Sequence, residues 1–113
     1  MNEFILIYRS EPSTNVLTPE QMKNVSQPWQ DWMGSLAAQN KLANMGSRLG
    51  YDGSVLKTGS PVTDGPYVEI KEVIAGFSVI RANTLQEANE IAKGCPILVT
   101  GGSVEVRPVI QMG

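Results

Sequence analysis

The sequence predicts an α+β chain of the ferredoxin-like class, with elements in βαββαβ order and two helices over one face of a four-stranded antiparallel sheet. Three observations lead there. Capping-box helix starts occur twice, at Thr18-Pro19-Glu20-Gln21 and at Thr84-Leu85-Gln86-Glu87. Strand-forming runs occur near the start, middle and end of the chain, at 4–8, 73–81 and 103–109. Between the first helix and the middle strand lies a glycine-rich stretch, which reads as short strands and hairpins. At 113 residues, 42% of them hydrophobic, the chain is expected to form one domain over residues 1–113. A domain this small buries a modest share of its surface and gains further burial by oligomerising.

Taken in order, Phe4-Ile5-Leu6-Ile7-Tyr8 is apolar at every position, as a covered central strand requires. Thr18 is the N-cap of the first helix, Pro19 its first residue, and Leu17 with Met22 the expected hydrophobic staple. Met22, Val25, Trp29, Trp32, Met33 and Leu36 keep helical spacing to about Asn40. Pro28 falls inside this pattern and predicts either a kink or a fresh start capped by Ser26. Tyr51-Asp52-Gly53-Ser54 contains a hairpin signal. In the next strand Gly76 marks a bulge or a close contact. The second helix should turn Leu85, Ala88, Ile91 and Ala92 inward, with Gly94 at its C-terminal cap and Pro96 preventing continuation. Ser103-Val104-Glu105-Val106-Arg107-Pro108-Val109 alternates with period two and has a proline suited to a sheet edge or strand end.

Composition narrows the function classes. Nine Lys and Arg against eleven Asp and Glu give a net charge of −2, with no basic run, which disfavours nucleic-acid and anionic-membrane binding. An RNA-recognition domain shares this strand order, but Ala75, Val79 and Arg81 flank Gly76-Phe77 where stacking aromatics and a basic residue are needed. The lone Cys95 cannot form an internal disulfide, and the absence of histidine removes Cys/His zinc sites. No dense carboxylate loop of the calcium type is present, so neither a metal nor another cofactor is expected. The run 4–8 is too short for a signal h-region or a membrane span, and the expectation is a soluble, unprocessed cytoplasmic protein. Because the strands carry Ile, Val and Phe on both sides, a second copy of the chain is the expected cover for the sheet's other face, giving a homodimeric α/β barrel.

The most specific stretch is Thr63-Asp64-Gly65-Pro66-Tyr67-Val68-Glu69-Ile70-Lys71-Glu72, where a specified bend meets a dense charge cluster. Asp64 has two readings, an Asx-turn that bonds its own backbone and a general base or ligand anchor beside a cavity; it is the best catalytic candidate. Glu105 and Arg107 share one strand face, either as polar contacts for a small anionic ligand or as an ion pair with each other or with Glu69, Lys71 and Glu72. Trp29, Trp32, Met33 and Tyr67 supply either apolar walls for a ligand or core packing. Cys95, Ser60, Ser78 and Ser103 lack a histidine base and read as non-nucleophilic.

Residues 63–72 resemble the Asp-Gly-Pro-Phe signature of the YCII-related (DGPF) family, with Tyr67 in place of the phenylalanine. Gly76-Phe77 resembles the family's glycine-aromatic strand, 85–92 its second helix and 103–109 its closing strand. The resemblance covers nearly the whole chain and is strongest over 62–109. It implies a dimeric ferredoxin-like barrel. The family's proposed enzymatic role rests on a histidine and aspartate pair, and the position resembling that histidine is Trp29, which leaves a His–Asp mechanism without its histidine. Catalysis therefore stays open.

Two functions follow from these readings. One is a ligand site formed with a second protomer near the Asp-Gly-Pro-Tyr turn, using Asp64, Glu105 and Arg107 for polar contacts and Trp29 or Tyr67 for its walls. The alternative is a non-catalytic regulatory or interaction module; some relatives are joined to sigma-factor-like domains, so the resemblance permits a link to transcription initiation.

Overall fold

The computed structural model describes residues 1–12, 16–59 and 73–111, together with the backbone of 63–64. Its elements are β1 (Asn2–Ser10), α1 (Pro19–Ala38), β2 (Leu42–Arg48), β3 (Ser54–Val55), β4 (Thr63–Asp64), β5 (Val73–Ala82), α2 (Leu85–Ala92), a 3-10 turn (Pro96–Leu98) and β6 (Ser103–Pro108). The main sheet has the order β2-β5-β1-β6, and all its neighbours are antiparallel. With β3 and β4 set aside as a separate two-stranded ribbon, this is the ferredoxin-like arrangement.

Strand alternation divides the sheet into two faces. Phe4, Leu6 and Tyr8 of β1 and Ser78, Ile80 and Ala82 of β5 are buried beneath Leu36 of α1, Ala88 and Ala92 of α2, and Cys95 and Ile97 beside the 3-10 turn. The intervening residues Ile5, Ile7, Phe77 and Val79 form the opposite face, where no described helix packs and each residue is only half-buried. The chain's principal extents, 45 × 44 × 19 Å, leave room for one sheet and one helix layer in the thin direction.

Local chemistry explains the helix ends. At α1 the Gln21 amide donates to Thr18 Oγ1 at 3.1 Å while the Thr18 amide donates to Gln21 Oε1 at 3.0 Å, a complete capping box. The same helix closes in a Schellman motif. Asn40 takes φ 57°, its amide donates to the Ala37 carbonyl, and the Lys41 amide donates to the Leu36 carbonyl at 2.8 Å. Arg81 Nη1 secures this turn by donating to Asn40 Oδ1 and to the Leu42 carbonyl. At α2, Thr84 Oγ1 accepts from the Glu87 amide, and Glu87 reaches back to the Asn83 amide rather than that of Thr84.

Several expectations are corrected. Pro28 does not restart α1, which runs unbroken through it; Ser26 Oγ donates to the Lys23 carbonyl and caps nothing. The turns around Pro28 are exposed, so the carbonyl of Asn24, deprived of its helical donor, is accessible to water. Leu17 and Met22 both remain exposed, as does Leu85, because the ends of both helices project past the core. Asp52-Gly53 does not join β2 to β3: β2 pairs with β5 and β3 with β4, so the dipeptide lies in a connection between two sheets. Gly94 ends α2 without a positive φ; a Cβ there would lie 3.0 Å from Trp32 Nε1, so the glycine makes room for the indole. Gly76, in contrast, has the expected role on both counts. A Cβ on it would stand 2.7 Å from the Ser47 carbonyl oxygen, and the β1–β5 register shifts beside it, between Tyr8 and Arg9.

The β2–β5 pairing contains two further register shifts, between Leu42 and Asn44 and between Asn44 and Ser47. At the second, Gly46 takes φ +78°, its amide donates to Asn44 Oδ1 at 2.7 Å, and Ser78 Oγ donates to the Met45 carbonyl at 2.7 Å. A glycine in the left-handed region, fixed by these two bonds, lets an extra residue bulge from the strand.

Candidate functional site

On the uncovered sheet face, β1 and β6 bring Arg9, Glu105 and Arg107 together. Arg9 Nη2 donates to Glu105 Oε1 at 3.0 Å, and Arg107 Nη1 stands 3.9 Å from Glu105 Oε2. One carboxylate thus lies between two guanidinium groups, leaving a formal charge of +1 at the edge of an apolar strip made by Ile5, Ile7, Phe77 and Val79. Arg107 is the accessible member, with 68% of its side chain exposed, and its long contact to Glu105 is weaker than that of Arg9. A planar cation beside an apolar surface suits a carboxylate or phosphate carried on a small organic body.

The helix-covered face holds a second, chemically different cluster. Tyr8 meets Trp29 edge to face, with ring centroids 4.9 Å apart and an interplanar angle of 78°, and Trp32 at 6.4 Å and 70°. Trp29 and Trp32 also stand edge to face, at 6.0 Å. These geometries are the favourable arrangements for aromatic quadrupoles. Burial pushes the Tyr8 phenol well above the usual tyrosine range, with proximity to Cys95 a smaller contribution in the same direction and Ser78 acting against it. The hydroxyl lies beside Ser78 but outside hydrogen-bond geometry with it or any other described residue, and Ser78 directs its own hydrogen to Met45. The Cys95 thiol is pushed up to about 11, chiefly by burial, against a weaker backbone hydrogen bond from Ile97. It stays protonated at neutral pH, as an inert thiol should.

The sequence candidates therefore do not form a single cluster. Glu105 and Arg107 are neighbours, joined by Arg9, which sequence reasoning missed; its signal was only a cation at the end of an apolar strand. Trp29 lies on the other side of the sheet from that pair, against Tyr8. The second missed residue is Tyr8, whose sequence context announced a buried strand but not an orphaned hydroxyl. Asp64 sits in β4 with its backbone opposite Ser54, and its side chain lies outside the described residues. Tyr67, Glu69, Lys71, Glu72 and Ser60 lie outside them entirely. Among the described residues no three His, Cys, Asp or Glu side chains gather as a metal site, and no helix is long and apolar enough to cross a membrane.

No curated protein matches the chain. The family model of the YCII-related domain matches residues 1–113, from end to end. That match agrees with the antiparallel β2-β5-β1-β6 sheet and its two covering helices, and the chain belongs to the YCII-related family.

Proposed function

We propose that the protein is a homodimer that binds a small anionic molecule against the open face of its sheet, in a site completed by the turn that carries Asp64 and Tyr67. The observation that supports this reading is the Arg9–Glu105–Arg107 cluster at the rim of an apolar strip that no described element of the chain covers. The half-buried Ile5, Ile7, Phe77 and Val79 give a second sheet something to pack on, forming the dimeric barrel. In the same assembly Arg107 becomes partly desolvated, which strengthens its attraction for an anion. Glu105 orients the guanidinium without neutralising the cluster. The reading is of a binding protein, with Asp64 as the group to test for proton transfer.

Native mass spectrometry of the protein purified without added ligand tests this directly. A dimer carrying additional mass, with that mass absent from an Arg107→Ala dimer of unchanged fold, is the expected result. A monomer overturns the assembly. Additional mass that persists in Arg107→Ala overturns the site.

A further inference from the structure

Tyr8 is only 5% exposed, and its hydroxyl is the one buried side-chain polar atom without a hydrogen-bond partner among the described residues. An orphaned hydroxyl in a packed interior is disfavoured by about as much as a whole hydrogen bond contributes, so native structures seldom retain one without an acceptor. The surroundings define which acceptor fits. Ser78 is fully buried and donates to the Met45 carbonyl, so its oxygen keeps a lone pair but has no second hydrogen to offer. Cys95 beside it is buried and neutral, a weak donor and weak acceptor. Trp29 and Trp32 complete the wall.

None of these four neighbours is a cation, so a carboxylate or phosphate would be buried here without a counter-charge, and a neutral oxygen is selected instead. A cation held by the rings is also excluded, because centroids 4.9, 6.4 and 6.0 Å apart are in mutual contact and leave no width between them. Trp29 and Trp32 are each only half-buried, so the cluster borders solvent on the α1 side. We propose that Tyr8 Oη and Ser78 Oγ hold one internal water, which accepts from the phenol and donates to the serine oxygen. The site lies on the helix-covered face, opposite Arg107, and does not depend on the anion-binding reading.

Tyr8→Phe in the full chain separates the outcomes, because it deletes the hydroxyl and keeps the ring. With an occupant bound, the variant melts lower by about 4 °C, the shift expected for one lost hydrogen bond in a domain of this size. A fall of that size, together with density for a water between Tyr8 Oη and Ser78 Oγ in a crystal structure of the unaltered protein, supports the site. A fall without such density assigns the loss to a direct Tyr8–Ser78 hydrogen bond and overturns it, and an unchanged or higher melting temperature overturns it as well, since an orphan would then have been removed without loss. Should the variant fail to fold, a crystal structure of the unaltered protein decides: density at hydrogen-bond distance from Tyr8 Oη supports the site, and a bare hydroxyl overturns it.

Discussion

Arg9 reaches diagonally across the β1–β6 pair to Glu105, with 3.0 Å between Nη2 and Oε1, although the residue directly opposite Arg9 is Ser103 and the one opposite Glu105 is Ile7. Diagonal neighbours on one face of an antiparallel pair lie about 7–8 Å apart, within reach of two long side chains but not of shorter ones. The ion pair thus depends on the β1–β6 register and on both side chains being long, and it leaves Arg107 only loosely held.

Glu105→Gln should lower stability by about 0.5–1 kcal/mol, the range for a partly exposed pair. Thermal melts at low and high salt check this: the difference from the unaltered protein should shrink in 1 M NaCl, where screening already weakens the attraction. A loss that is independent of salt would assign Glu105 a packing role instead.

Gly46→Ala should be far more damaging, by about 2–4 kcal/mol. Besides requiring a left-handed φ, the new methyl would overlap the Phe77 carbonyl of the neighbouring strand. Denaturant titration should show the loss, and amide exchange should locate it along β2 and β5.

Pro28→Ala should have the opposite sign. The proline interrupts an exposed run of α1, where its missing amide leaves the Asn24 carbonyl without a helical donor. Restoring the donor should stabilise the helix by about 1–3 kcal/mol, read as a higher melting temperature and increased helical circular dichroism.

The protein should lose stability in alkali. Cys95 titrates at about 11 when folded, against an ordinary value of 9.0, so the folded state holds its proton more tightly. The associated stability is complete below pH 9 and disappears as pH rises through 11. Tyr8, also shifted upward, adds to the decline in the same direction. Guanidinium midpoints measured between pH 8 and pH 11 should fall, and Cys95→Ala should flatten the slope over this window. The slope is the readout, because alanine also changes packing at this site.

The sequence made the helix starts legible because capping is local: Thr18 and Gln21, or Thr84 and Glu87, are three residues apart and need no tertiary information. Strand faces were legible for the same reason, so Glu105 and Arg107 were correctly paired on one side of β6. The Arg9 contact was not, since it spans 96 residues of chain and exists only once β1 and β6 are placed in register. Asp52-Gly53 misled because turn chemistry describes how a chain bends and not which strands the bend connects. Trp29 reads as a wall for the Arg107 site from its aromatic character and its resemblance to the family's histidine position, and neither carries information about which side of a sheet a residue will occupy.

The bulged strand at one margin of the sheet also bears on how the protein behaves when concentrated. β2 presents its free side with the ladder broken twice within seven residues, and at the opposite margin β6 ends in a proline that cannot donate. An incoming extended segment finds an interrupted row of amides and carbonyls along β2 and a row that stops at Pro108 along β6. Growth by lateral strand addition, the route to fibrils, is therefore impeded along β2, and in the proposed dimer the broad apolar face would be closed off after a single step.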